Sequence, residues 1–144
     1  MVVHGTVYYP HTLPGFIAED ERAEPIGLAT YVIENSACEF VSLDSIREGE
    51  GVGSALVDAV VQEARKQRCS RVWCVTTNDN FPALRFYQKR DFRLVAVHPG
   101  AADRSRLLKP SLPVWGIEGI PIHDEIELEM RLEVAPGNVE ATGE

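Results

Sequence analysis

Apolar residues recur along this chain with two different periods, and the change from one to the other marks the elements of the fold. Between residues 52 and 68 they recur every three or four positions, which predicts an amphipathic helix with a basic carboxyl end. Between 122 and 134, Ile126, Leu128, Met130 and Leu132 alternate with charged residues. That alternation predicts a strand with one buried face.

Short β-prone runs account for most of the remaining chain. Extended segments are predicted at 2–9, 16–19, 26–33, 38–45, 71–76 and 92–98, a short helix at 82–89, and a helical turn at 101–108 within the long connection 99–121. The strand at 38–45, a glycine cluster, the long helix and the strand at 71–76 form a βαβ unit, whose strands should be parallel. We expect an α/β (α+β) fold with a mixed, mostly antiparallel central sheet.

The composition is that of an ordinary globular domain. The 144 residues are 44% hydrophobic and 25% charged, and a chain of this length buries roughly 70% of its unfolded surface. We expect one domain over 1–134 and a disordered tail at 135–144. No apolar run approaches the roughly 20 residues that span a bilayer, and the first residues lack the features of a signal peptide. A cytoplasmic protein without membrane contact is expected.

Charge, cysteine content and histidine spacing restrict the possible functions. The formal net charge of −8 argues against a general nucleic-acid binder, which would need clustered Lys and Arg to meet phosphates. Cys38, Cys69 and Cys74 lack the spacing of a metal or redox pair and are expected to be reduced thiols in or near the core. No metal site is expected, because no paired ligand spacing occurs among the four histidines, His4, His11, His98 and His123.

A glycine-rich loop between strand and helix carries the first recognisable motif, Leu43-Asp44-Ser45-Ile46-Arg47-Glu48-Gly49-Glu50-Gly51-Val52-Gly53-Ser54-Ala55-Leu56. It resembles the acetyl-coenzyme A signature of the GNAT superfamily of N-acetyltransferases, Arg/Gln-x-x-Gly-x-Gly/Ala. Gly51 and Gly53 fill the glycine positions, so that the backbone can approach a pyrophosphate and the N–H groups of the helix start can bind it. Glu48 replaces the usual Arg or Gln, and we expect weakened rather than abolished binding. Arg47 is expected to substitute for it in part.

The second motif lies in the short helix and the turn after it, Asn80-Phe81-Pro82-Ala83-Leu84-Arg85-Phe86-Tyr87-Gln88-Lys89-Arg90-Asp91-Phe92. It is similar to the GNAT pattern Asn-x-x-Ala-x-x-x-Tyr-x-x-x-Gly-Phe. Asp91 replaces a glycine that commonly takes a left-handed conformation at the end of the helix, which Asp tolerates at some cost. Two motifs in the right order are far more specific than one glycine loop.

The resemblance implies acetyl-coenzyme A as co-substrate. Its predicted binding residues are Leu43, Ser45, Ile46, Glu48, Gly49, Glu50, Gly51, Val52, Gly53, Ser54, Asn78, Asn80, Phe86 and Tyr87. The family normally begins with a strand and two helices that wall the acceptor pocket, whereas only about 40 residues precede the strand that leads into the glycine loop here. The acceptor side should be open, or be completed by 2–14, by 99–121, or by a second subunit in a homodimer.

The resemblance also implies the chemistry. The acceptor is a primary amine, small or peptidic, that attacks the thioester directly in a ternary complex. Tyr87 matches the general acid that protonates the departing thiolate, and backbone N–H groups of residues 44–46 on a splayed strand would polarise the thioester carbonyl. Candidate bases are Glu39 and Asp44, then Asp124, Glu125 and Glu127, although each could be a solvated strand charge. His98 and His123 flank the long connection and could contact the acceptor.

Two alternatives remain. The domain could bind an acyl-coenzyme A as a sensor without transferring anything. It could also be a dinucleotide-binding fragment, since Gly49-x-Gly51 opens a helix after a strand. Against that interpretation, Ser54 stands at the third glycine position and antiparallel strands precede the unit.

Overall fold

In this computed structural model, the structure describes residues 2–3, 6–7, 12–47, 49 and 51–133 of the 144. For 2–3 and 6–7 the description covers the backbone. Glu48, Glu50, His4, His11 and the tail 135–144 lie outside the described residues, so the predictions made for them stay predictions.

The described chain contains strands and helices in the order that the sequence predicts. The strands are β1 Val2–Val3, β2 Thr6–Val7, β3 Gly15–Glu19, β4 Pro25–Glu34, β5 Ala37–Ser45, β6 Arg71–Thr77, β7 Arg93–His98 and β8 Glu125–Arg131. The helices are α1 Val52–Lys66, α2 Phe81–Gln88 and α3 Ala101–Leu108, with a short 3-10 helix at Ile117–Gly119.

Six of these strands form one mixed sheet in the spatial order β3-β4-β5-β6-β8-β7, while β1 and β2 pair separately. The pairing of β5 with β6 is parallel and every other pairing in this sheet is antiparallel. The predicted fold class is therefore confirmed, including the βαβ unit of β5, α1 and β6.

The two faces of the sheet differ in chemistry. Helix α1 packs its apolar side, centred on Val60 and Ala64, against one face, where Val72 and Leu128 are fully buried. Residues that pair across strands share a face and alternate along each strand. The register thus places one polar set on the opposite face, which we call the polar face: Glu39, Arg71, Trp73, Glu125, Glu127, Glu129 and His98.

Some predicted boundaries are wrong, for identifiable reasons. Helix α1 ends at Lys66 rather than 68, because Gln67 caps it and Arg68 has a positive φ of 61°. Strand β8 spans 125–131 rather than 122–134. The N–H group of Ile122 bonds the Val114 carbonyl, and the N–H groups of residues 123 and 124 bond the side chain of Asn78, in the turn after β6. The chain therefore joins the sheet only at residue 125.

Other local predictions are confirmed. Cys38, Cys69 and Cys74 are buried free thiols. Asp91 has a φ of 70°, the left-handed conformation inferred from the glycine it replaces. The helical turn predicted at 101–108 is α3.

The region before α1 contains no α-helix in the described residues. Of the segment predicted as extended at 2–9, the structure describes the two-residue strands β1 and β2, and β1 lies beside α3. Within the described chain no helix is both long and apolar enough to cross a membrane.

Candidate active site

Strands β5 and β6 pair only at their beginnings. Ala37, Cys38 and Glu39 of β5 are in register with Arg71, Val72 and Trp73 of β6, and no pairing follows. Beyond that point β5 shifts its register with β4, while β6 stays paired with β8 as far as Thr77. The carboxyl halves of these two parallel strands are therefore apart, which leaves a gap between them in the middle of the sheet.

The gap exposes backbone donors of β5. The Ile46 N–H bonds the Ile26 carbonyl at 3.0 Å, on the β4 side. Because N–H groups alternate between the two sides of a strand, those of Leu43 and Ser45 point toward the gap. Of the predicted carbonyl-polarising groups at 44–46, the N–H of Ser45 is thus the one with the required direction.

Helix α1 begins at the mouth of this gap, and no side chain of the described residues caps its amino end. Gly51 is the N-cap in a left-handed conformation (φ 78°, ψ 7°), and no acidic residue lies in the first turn. A Cβ at Gly51 would meet nothing within 4 Å, so glycine is needed there for its dihedral angles rather than for space. The first N–H groups of α1 and its dipole give this end a partial positive charge.

Gly53 is required for a different reason. A Cβ at this position would lie 3.1 Å and 3.2 Å from two ring atoms of Phe86. The absence of a side chain therefore lets α2 lie close against the first turn of α1. This contact places the two sequence motifs, some 30 residues apart in the chain, side by side at the mouth of the gap.

A cavity of about 640 Å³ lies between the gap, the glycine loop and α2. Its lining residues are Leu43, Asp44, Ser45, Arg47, Gly49, Gly51, Val52, Gly53, Ser54, Pro82, Ala83, Phe86, Tyr87 and Arg90. The structure thus brings together most of the residues predicted to bind coenzyme A.

Tyr87 lines the cavity from α2 and is only 8% exposed. Its ring contacts those of Phe86 and Phe92, with centroids 5.2 Å and 5.1 Å away, and that of Phe40 at 6.2 Å. Burial, and to a lesser degree the charges of Cys74 and Asp44, raise the pKa of the Tyr87 hydroxyl well above its usual value. The hydroxyl stays protonated at neutral pH and can donate a proton or a hydrogen bond.

Arg90 is a cavity residue that sequence reasoning missed. Its Nε donates to Ser54 Oγ at 2.8 Å, its Nη1 to the Phe86 carbonyl at 2.8 Å, and its Nη2 again to Ser54 Oγ. Its guanidinium lies 3.7 Å from the centre of the Phe86 ring. No carboxylate pairs with it in the part of the chain that the structure describes. Nothing in the local sequence distinguishes Arg90 from the other basic residues of this segment, Arg85 and Lys89.

Asp44 and Arg47 reach the cavity from the end of β5. Asp44 is exposed and is the one carboxylate among the described lining residues. Arg47 bonds Asp20 Oδ2 at 2.9 Å, and its side chain is 38% exposed. Backbone hydrogen bonds from Glu24 and Arg22, with a smaller contribution from Arg47, hold the pKa of Asp20 below its usual value.

Several predicted site residues lie elsewhere. Asn78 binds the long connection, since its Nδ2 donates to the Pro121 carbonyl and its Oδ1 accepts from the N–H groups of His123 and Asp124. Asn80 caps α2 by accepting from Ala83 N at 3.2 Å, and its Nδ2 donates to Thr76 Oγ1. Neither residue is among those that line the cavity, and both amide groups have protein partners. Their assignment to coenzyme A stays a prediction.

Ile46 and Glu39 also lie outside the cavity lining. Ile46 lines a separate apolar depression with Ile17 and Leu28. Glu39 is 5% exposed and belongs to the polar face, at the closed end of the gap beside Trp73.

The other candidates for acceptor chemistry surround the far end of β8. Asp124 Oδ1 accepts from the Gly100 N–H at 2.8 Å. His123 pairs with Asp103, and His98 pairs with Glu127 at 3.0 Å. Within the described residues no three His, Cys, Asp or Glu side chains are grouped so as to hold a metal ion.

Comparison with known proteins agrees with this geometry. The sequence profile of the acetyltransferase (GNAT) family matches residues 6–92. The uncharacterized protein YdhI of Bacillus subtilis is 42% identical over 126 residues, which cover 88% of this chain and 79% of that protein.

Two solved structures share the fold. A GNAT family acetyltransferase from Elizabethkingia anophelis with acetyl-CoA bound superposes with a TM-score of 0.70 at 23% identity, covering 81% of this chain and 74% of that one. A Bacillus subtilis acetyltransferase in complex with CoA gives 0.65 at 22% identity, covering 76% and 71%. The resemblance read from the two motifs is confirmed, and the chain belongs to the GNAT family of acetyltransferases.

Proposed function

We propose that this protein transfers the acetyl group of acetyl-coenzyme A to a primary amine by direct attack within a ternary complex. The observation that carries the proposal is the cavity itself, in which the uncapped amino end of α1 and the protonated hydroxyl of Tyr87 line the same space beside a gap in the sheet. The N–H groups at the helix end can bind a diphosphate, and the gap can hold a thioester beside the Tyr87 hydroxyl.

The cavity offers donors for each anionic part of coenzyme A. The first N–H groups of α1 suit the diphosphate. Arg90 supplies a charged guanidinium with five N–H bonds, of which three are used by Ser54 and the Phe86 carbonyl. We assign the remaining N–H bonds of Arg90 to a phosphate of coenzyme A. In this role Arg90 replaces the donor that Glu48 fails to provide in the glycine loop.

The acceptor must lose a proton before it attacks. An alkyl amine with a pKa of about 10.4 is neutral in only about one molecule in a thousand at pH 7, which costs roughly 4 to 5 kcal/mol. Asp44 lines the cavity and is exposed to water, so it is the first candidate base. Glu39 lies deeper and could act only through water, as the second candidate.

The thioester carbonyl and the departing sulfur need partners on the opposite side of the reaction. The Ser45 N–H, directed into the gap, suits the developing oxyanion. Tyr87 donates its proton to the thiolate as the carbon–sulfur bond breaks, and the base takes the proton that the amine loses. The base then releases this proton to solvent, and a proton from solvent restores the Tyr87 hydroxyl. The products are an N-acetylated amine and coenzyme A with a free thiol.

Thiol release with acetyl-coenzyme A and a panel of primary amines tests the proposal. Replacement of Tyr87 by Phe should lower kcat by about 100-fold, the typical contribution of one general acid, with little change in the Kd of acetyl-coenzyme A. Tyr31→Phe is the matched control, since Tyr31 is also a buried tyrosine but does not line the cavity.

The same experiment separates transfer from sensing. A sensor would bind acetyl-coenzyme A without releasing thiol in the presence of any amine. Thiol release that is unchanged in Tyr87→Phe would refute the assigned role of this hydroxyl.

A further inference from the structure

Glu125 is a buried carboxylate for which the described residues provide no hydrogen-bond or ionic partner. It is the first residue of β8 and is 5% exposed. Its Oε1 is buried without a hydrogen-bond partner, and no ion pair to Glu125 occurs among the described residues. Burial of an unpaired charge is strongly unfavourable, and proteins avoid it unless a cation completes the pair.

The position of Glu125 places it near the reaction. It is in register with Thr77, the last residue of β6, and with His98 of β7. The gap between β5 and β6 opens toward the same edge of the sheet, because Thr77 and Ser45 are both carboxyl ends of parallel strands. Glu125 therefore lies on the polar face beside the end at which the gap opens.

A second carboxylate reinforces this site. Glu127 lies on the same face, about 7 Å further along β8. Although burial pushes its pKa up, hydrogen bonds from Arg71 and His98 outweigh that effect and lower the pKa, so Glu127 is ionised at neutral pH. The His98 side chain, which bonds Glu127 at 3.0 Å, is 41% exposed, so the polar face reaches solvent at this residue of β7.

We infer that Glu125, supported by Glu127, binds a cationic nitrogen of the acceptor, and that the acceptor is a diamine or oligoamine without an anionic group. This inference rests on the proposed transfer to an amine. The nitrogen that attacks the thioester must be neutral, so the charge that completes Glu125 belongs to a second nitrogen of the same molecule. Coenzyme A enters on the α1 side and the acceptor on the polar face, and the two meet in the gap.

Three probes with the same four-carbon chain test the charge requirement: 1,4-diaminobutane, butylamine and 4-aminobutanoate, whose far ends are cationic, neutral and anionic. We expect kcat/KM to fall in that order, with at least about 10-fold between the first two. A hydrogen bond to a charged group strengthens binding by about this factor. Equal rates for the three probes would overturn the inference.

The variant Glu125→Gln separates anchoring from folding. It should lower kcat/KM for 1,4-diaminobutane by about 10- to 100-fold and for butylamine by less than about threefold, with the KM for acetyl-coenzyme A unchanged. Removal of an unpaired buried charge should also raise the Tm, by about a few degrees. Glu129→Gln is the matched control, since Glu129 lies on the same face of β8 but is already paired with Arg71. An equal loss for both amines, or no loss for the diamine, would refute the assignment.

Failure of the proposed transfer gives a different result. If acetyl-coenzyme A binds but no amine releases thiol, calorimetric titration of 1,4-diaminobutane into the coenzyme A complex tests the site alone. Binding that is lost in Glu125→Gln supports the site, and absence of binding to the wild-type protein overturns it.

Discussion

Replacement of Arg90 by Gln should weaken coenzyme A binding by about 10- to 100-fold. Three of the five N–H bonds of this guanidinium are used within the protein, by Ser54 Oγ and the Phe86 carbonyl, which leaves two for a ligand. Hydrogen bonds between charged groups contribute about 1.5–3 kcal/mol each. Because the side chain is only half-buried, we expect a total loss of about 1.4–2.8 kcal/mol, which is the stated range of Kd.

The same substitution has a structural cost that can be measured separately. Loss of the bonds to Ser54 and of the stacking on Phe86 should lower the free energy of unfolding by about 1–2 kcal/mol. This is a fraction of the 5–15 kcal/mol typical of a domain, so the variant should fold. Urea unfolding gives this quantity for each variant.

Equilibrium titration with coenzyme A and with its 3′-dephospho form gives the decisive comparison. If Arg90 contacts the 3′-phosphate, the loss disappears with the dephospho ligand, and if it contacts the diphosphate, the loss is the same for both ligands. Arg93→Gln removes an equal charge from an exposed position outside the cavity and serves as the control. A Kd for Arg90→Gln within about twofold of wild type at low salt would show that Arg90 only braces α2 against α1.

Three further predictions concern the backbone and the thiols. Asp91→Gly should raise the free energy of unfolding by about 1 kcal/mol in urea titrations, since Asp91 holds a φ of 70° that glycine adopts without strain. Gly116→Ala should lower it by about 2 kcal/mol or more and reduce the Tm, because a Cβ there would lie 2.1 Å from Asp79 Oδ2. Cys38 and Cys74 should resist thiol reagents at mildly alkaline pH until the protein unfolds, because burial raises the pKa of each to about 12. Each prediction has its own contradicting result. A lower stability would contradict the one for Asp91→Gly, an unchanged Tm the one for Gly116→Ala, and rapid labelling of the native protein the one for the cysteines.

The fold was predictable because its elements follow local rules. The apolar spacing of α1 and the alternation of β8 are periodic signals, and the glycine loop fixes where strand becomes helix. Asp91 shows that even one left-handed residue could be inferred, since it stands where the family pattern has glycine. The end of α1 was misplaced because of a local feature, the positive φ of Arg68, whereas the start of β8 was misplaced because Ile122 bonds the Val114 carbonyl outside the sheet.

The sequence predicted the cavity residues that act through their backbone or belong to a motif. It did not predict the side chains whose hydrogen-bond partners lie far away in the sequence. Gly51, Gly53 and Tyr87 were found from the motifs, and the structure places them around one space. Asn78 was predicted to bind the ligand, and the local sequence could not show that Pro121 and His123 of the long connection bond its side chain. Arg90 was missed because its partner Ser54 lies 36 residues earlier in the chain.

The glycine loop and the gap between β5 and β6 are tested most directly by a crystal structure of the protein with acetyl-coenzyme A. We predict diphosphate oxygens about 3 Å from the N–H groups of the first turn of α1, and the thioester in the gap with its sulfur within hydrogen-bond reach of the Tyr87 hydroxyl. A diphosphate bound away from α1, or a thioester outside the gap and out of reach of Tyr87, would contradict the proposed mechanism.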